Sequence, residues 1–192
     1  MKDCLSTVLL LALLLACPAV AVPAQQMQEK ASVAKTGFRA EVLKRIDEAG
    51  GKLVELAKAI PQEKYSWRPV GEVYSVGEVY THVAIANFAL PRALGILPPV
   101  GIEGELEKIT DKAEVVKHLQ ESFDYGRQII HDTPDAELDK TVKLYGKETT
   151  VRDVFLALVL HAHEHLGQSV AYGRMNKITP PWAAQRANHA RR

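Results

Sequence analysis

Phe38, Val42, Ile46, Ala49, Leu53, Leu56 and Ile60 follow one another at intervals of three and four residues, and Pro61 comes next. Apolar residues at that spacing fall on one stripe of an α-helix. The proline, which lacks an N–H and cannot continue the ladder, stops it. The pattern recurs. Ser75 with Glu78 three residues later forms a capping box ahead of Val76, Val79, Val83, Ala86 and Leu90, up to Pro91. Val116, Leu119, Phe123 and Ile130 mark a third helix that begins at Thr110 or Asp111 and runs toward Pro134. Thr150 with Asp153 opens a fourth, which runs to about Met175. The spacing therefore predicts an all-α chain of four amphipathic helices, each roughly 20 residues long, packed as a four-helix bundle.

The links carry their own signals. Residues 95–109 contain Pro98, Pro99 and three glycines, and this connection is long enough to cross the bundle. Leu144, Tyr145, Gly146 and Lys147 read as a tight turn. Gly50 and Gly51 interrupt the first stripe, and each weakens a helix by about 1 kcal/mol relative to Ala. Close approach of a neighbouring helix is the expected compensation. Pro180 and Pro181 end regular structure, leaving residues 183–192 as a basic, flexible tail.

Charge narrows the class of partner. With 24 Lys and Arg against 23 Asp and Glu, the net charge is +1, which gives no reason to expect a nucleic-acid partner. Aromatic residues are 6% of the chain, so the core must be mainly aliphatic. Both cysteines, Cys4 and Cys17, stand in the first 17 residues, and no thiolate is available beyond them. Around them Lys2 precedes a short apolar run from Val8 to Ala16, the form of a secretory signal peptide. Val22, Pro23 and Ala24 fit a cleavage site before Gln25. Residues 1–24 are thus read as signal peptide, 25–35 as flexible linker and 36–182 as the bundle. Leu14, Leu15, Ala16 and Cys17 resemble a lipobox, which makes a lipoprotein anchored through Cys17 the second choice. Export, to a periplasm or the medium, is expected either way, and a retained N-terminal anchor is the third choice.

In a bundle, ligand sites are built from polar residues on the buried stripes. On the fourth helix the stripe reads Val154, Leu158, His161, His165, Gln168 and Tyr172. His161 and His165 project within about 40° of each other and about 6 Å apart along the axis. This spacing offers two imidazoles to one cation, which avoids the several kcal/mol that burying both unpaired would cost. His163 lies about 200° away from each and should face outward. His82, at the edge of the second stripe, reads either as a boundary residue or as a third ligand. Three nitrogens with one coordination position open is the catalytic rather than the structural pattern of zinc. The run from His161 to His165 also satisfies H-x-x-E-H, the inverted zinc-peptidase string. That class needs a later acidic ligand, and the 27 residues after His165 contain no Asp or Glu.

Residues 59–69, with Tyr65 and Trp67, residues 75–87, with His82, and residues 161–168, with both stripe histidines, together resemble the DinB family, or DinB/YfiT-like metalloenzymes. Residues 172–182, ending in Pro180, Pro181 and Trp182, are similar to the ending of exported members. The resemblance implies a four-helix bundle with crossover topology and a divalent metal held by His82, His161 and His165. It also implies thiol-dependent transferase or isomerase chemistry on a small molecule, while an ion that activates a bound water at its open position makes hydrolysis the other version. A non-catalytic metal- or ligand-binding bundle is the alternative, and a homodimer is left open. Three imidazoles suit Zn, Ni, Cu or Fe, with Zn first. Glu164 is read as a solvent-facing residue and Gln168 as a partner for a ring N–H. Tyr65, Trp67 and Trp182 either line a pocket mouth or cover the end of the core.

Overall fold

The computed structural model describes residues 36–102 and 104–189. The expected signal peptide, both cysteines, the linker 25–35 and the last three residues of the tail lie outside the described residues. Four long helices form the body: α1 (Phe38–Ala59), α2 (Val76–Ala89), α3 (Lys112–Asp132) and α4 (Val151–Met175). Among the described residues, no helix is long and apolar enough to cross a membrane.

Each helix starts and stops for a local reason. Ser75 Oγ accepts from the Glu78 N–H at 3.3 Å while the Ser75 N–H donates to Glu78 Oε2 at 2.6 Å, completing the capping box of α2. Asp111 and Thr150 cap α3 and α4 in the same sense, each accepting from the N–H three residues on. α1 closes with the Ile60 N–H on the Leu56 carbonyl, just ahead of Pro61.

The helices pack so that α1 lies against α3 and α4, and α2 lies against the same two. Helices consecutive in sequence, α1 with α2 and α3 with α4, therefore occupy opposite corners. This corrects the reading of the links. Residues 95–109 join two neighbours, and the crossings are made by residues 60–75 and 133–150. The long link instead folds back as packing material. Leu106 is buried with Ala84 and Phe88, and the Tyr125 hydroxyl donates to the Leu97 carbonyl at 2.9 Å.

The core is aliphatic, as composition requires, with Leu53, Leu56, Leu119, Ile130, Val154 and Leu158 all buried. A Cβ on Gly50 would stand 2.8 Å from the Phe123 ring, so the glycine admits α3 against α1, whereas one on Gly51 would meet nothing. On α3 the inward register is set by Val115, Leu119, Phe123 and Ile130, with Val116 only half-buried.

Two elements depart from the all-helical expectation. The turn at Tyr145 and Gly146 joins antiparallel strands β1 (Thr141–Leu144) and β2 (Lys147–Thr150), paired from Thr141 with Thr150 to Leu144 with Lys147. Both turn residues have positive φ, 51° and 78°, as a two-residue hairpin turn demands. The second departure is α5 (Pro181–His189), where no regular structure was expected. A proline is tolerated at the first helical position, because the N–H it lacks would have no partner there. Pro181 thus opens a helix.

Candidate metal centre

The crossing segment 60–75 delivers the chain to the start of α2 and is clipped there. The Val76 N–H bonds to the Trp67 carbonyl at 3.0 Å and the Gly77 N–H to the Tyr65 carbonyl at 2.8 Å. Arg68 pairs with Glu78 at 2.9 Å, and Glu78 is held below its usual carboxylate range, first by the Ser75 N–H. The first turn of α2 is thereby fixed, and His82 stands one turn further on. From α4, His161 and His165 project as their spacing predicts.

The three histidines converge. Nε2 of His161 lies 3.1 Å from Nε2 of His82, and one nitrogen from each of the three rings falls within 4.8 Å of the others. Ring centroids are 5.0 Å apart for His82 and His161, 4.8 Å for His82 and His165, and 4.5 Å for the α4 pair. His163 is exposed on the far side, its Nδ1 2.9 Å from the Val159 carbonyl of its own helix. Glu164 is exposed too.

Electrostatics favour neutral rings. Burial, then His165 and His82, push the His161 imidazole down to about 4. His82 is lowered by burial and by His165, with Glu164 pulling the other way. Neutral imidazole is the form that donates to a cation. The spacing also fits, because two nitrogens about 2.0–2.1 Å from one tetrahedral ion stand about 3.3 Å from each other. The group can therefore hold a metal ion.

Around the histidines lie residues that the stripe pattern did not single out. Tyr74 stacks on the His82 ring at 4.9 Å between centroids and is half exposed. A cavity of about 470 Å³ opens there, lined by His82, Tyr74, Arg68, Glu72, Glu78 and Glu107. Tyr74 carries no periodic signal, since it precedes the helix cap. On the other side, His165 Nδ1 is 2.7 Å from Gln168 Oε1, and Gln168 Nε2 donates to the Tyr172 hydroxyl at 3.1 Å. Trp67 meets the Tyr172 ring edge-on at 5.5 Å, whereas Tyr65 is buried and donates its hydroxyl to the Ala57 carbonyl. Both cover the core. Trp182 packs against it partly buried.

The family model of the DinB superfamily matches residues 45–169, a span that holds all three histidines. The chain belongs to the DinB superfamily. Solved structures carry the same fold. A DinB-like protein from Bacillus cereus ATCC 10987 aligns at TM-score 0.63 and 15% identity, over 74% of this chain and 95% of that one. The DinB-like protein YjoA from Bacillus subtilis aligns at 0.59 and 18%, over 72% and 93%. YfiT from Bacillus subtilis, described as "a probable metal-dependent hydrolase with an unusual four-helix bundle topology", aligns at 0.59 and 14%, over 85% and 95%. At these identities the likeness is one of fold. A comparison with curated proteins finds no match. The crossed corners seen here are a DinB-superfamily bundle with a three-histidine cluster between α2 and α4.

Proposed function

We propose that this DinB-superfamily protein is an exported metal-dependent hydrolase, with His82, His161 and His165 holding one divalent ion, zinc first among the candidates. The observation that carries the reading is the convergence of three imidazoles at a spacing that suits one ion, beside a cavity that His82 itself lines. An ion held by three nitrogens keeps a coordination position open, and when bound it supplies Lewis acidity and lowers the pKa of a coordinated water.

The chain's own groups do the rest. Tyr74 holds the His82 ring from the solvent side. Arg68 is kept in place by Glu78 and the Val73 carbonyl, where it presents a cation to the cavity beside the exposed carboxylates of Glu72 and Glu107. A small polar substrate suits that lining. The likeness to YfiT supports hydrolysis over thiol transfer, and an exported location supports it as well, because low-molecular-weight thiols are mainly cytoplasmic.

Cobalt substitution tests the reading, since the visible spectrum of Co(II) reports coordination number and ligand type. The spectrum should change on addition of azide, and chelator-sensitive hydrolysis should appear in a screen of ester, amide and phosphate substrates. A thiol that alters the spectrum and is consumed in turnover would favour the transferase. A spectrum indifferent to every added ligand would mean a closed site and a non-catalytic bundle.

A further inference from the structure

We propose that Gln168 is a positioning residue that fixes His165 as its Nδ1–H tautomer, holding Nε2 as the lone-pair donor toward His82 and His161. The proposal rests on the metal reading above. A neutral imidazole has one N–H and one lone pair, and which nitrogen carries the proton is set by its hydrogen-bond partner. Here the partner of Nδ1 is a carboxamide oxygen 2.7 Å away, which only accepts. Nδ1 therefore donates, and the ring's free lone pair is on Nε2.

The amide could deliver the opposite result if it were turned over. Its NH₂ would then face Nδ1, Nε2 would carry the proton, and His165 could not ligate. Tyr172 alone does not forbid this, because a phenol both donates and accepts. A cation at the three histidines does, since it needs the Nε2 lone pair. In the orientation found, Gln168 Nε2 donates to the Tyr172 oxygen at 3.1 Å. His165, Gln168 and Tyr172 follow at three and four residues, so one face of α4 stacks them in order. Tyr172 is buried and backed by Trp67, whose carbonyl receives the Val76 N–H at the start of α2. The support behind His165 thus reaches the helix that carries His82.

The nature of the partner has a consequence. Ligating histidines commonly donate to a carboxylate, a backbone carbonyl or water. A neutral amide orients the ring as a carboxylate would but adds no negative charge, which leaves the ion more electrophilic.

The test uses the full-length protein labelled with ¹⁵N-histidine, metal-free at pH 7.5, read by long-range ¹H–¹⁵N correlation and then titrated with zinc. Wild type should show His165 protonated at Nδ1 and bare at Nε2. Gln168→Leu should shift His165 toward the Nε2–H form and weaken zinc binding about 10- to 100-fold. Gln168→Glu should keep the Nδ1–H form and bind zinc at least as tightly as wild type, so it decides the matter if the leucine variant fails to fold. An Nε2–H tautomer in wild type, or a folded Gln168→Leu with unchanged tautomer and zinc affinity, overturns the proposal. So does a Gln168→Glu that loses the Nδ1–H form. Wild type that has the Nδ1–H tautomer yet takes up no zinc overturns the metal reading instead, and the two failures are thereby told apart.

Discussion

Nε2 of His82 and Nε2 of His161 face each other at 3.1 Å across the α2–α4 interface, 79 residues apart in the chain. Two ring nitrogens so placed can share one proton or one cation, but they cannot both be protonated without repulsion. His82→Ala, His161→Ala and His165→Ala should therefore each cut bound divalent metal severely, while His163→Ala leaves stoichiometry unchanged. Elemental analysis of untagged protein, with circular dichroism to confirm that each variant folds, is the check. Equal loss in all four would mean that the helix phase is misread, and unchanged metal in all four would mean that the metal is held elsewhere.

The depressed imidazole of His161 gives metal-free protein a pH signature. Between its ordinary value near 6.5 and about 4, the unfolded chain binds a proton at this residue that the folded chain refuses. The unfolded state then binds more protons, so stability falls as pH drops through that window and is insensitive to His161 above it. His82 adds in the same sense. Urea denaturation of apoprotein at pH 7, 6 and 5 should show the decline, and His161→Leu should flatten it. The interval above about pH 4.5 isolates the histidines, because carboxylates held low, such as Glu78, lose their contribution only below it.

Adjacent glycines should respond with opposite signs. Gly50→Ala drives a Cβ to 2.8 Å from the Phe123 ring and should destabilise by about 1–3 kcal/mol as α1 and α3 are pushed apart. Gly51→Ala meets open space in a helix interior and should stabilise by about 0.5–1 kcal/mol. Thermal melts of the two variants beside wild type settle both.

Removing the cap of α2 should cost about 1 kcal/mol, the ordinary loss for Ser→Ala at that position. Because Ser75 stands ahead of the turn that leads to His82, Ser75→Ala should also weaken metal retention by a few-fold. Parallel denaturant and chelator-competition titrations would reveal a cap that matters to one property and not the other.

Export is checked by intact mass of the secreted or periplasmic protein. A chain beginning at Gln25 is expected. A diacylglyceryl group on Cys17 would make it a lipoprotein, and an intact Met1 would make the segment an anchor.

The four helices and the α4 histidine pair were legible because both depend on angular phase, which spacing of three and four residues carries directly. His82 was ambiguous by that measure, since a residue at the edge of a stripe can turn either way. Its partner was a matter of which helices meet, and the corner arrangement is invisible to local pattern. The hairpin was missed beyond its turn because Thr141–Leu144 and Lys147–Thr150 are short and half-exposed, with no run of alternating apolar residues. Arg39 carries no signal in the sequence pattern. It is buried, with Nε on Asp135 at 2.6 Å and a guanidinium N–H on the His131 carbonyl at 2.8 Å, tying the start of α1 to the end of α3. Pro180 and Pro181 read as a stop, although at the first turn a proline begins a helix as readily as it ends one.

The crossed corners bear on stability as much as on chemistry. Two of the histidines come from α4, and the third comes from α2, which the chain joins to α4 through α3 and the diagonal crossing of residues 133–150. An ion held there would stabilise the assembled bundle through mass action. At a hundredfold excess over its dissociation constant it would raise the unfolding free energy by about 2.7 kcal/mol. In a chain whose two cysteines both stand in its first 17 residues, the ion would take the place a disulfide fills elsewhere, a cross-link between the first half of the sequence and the last.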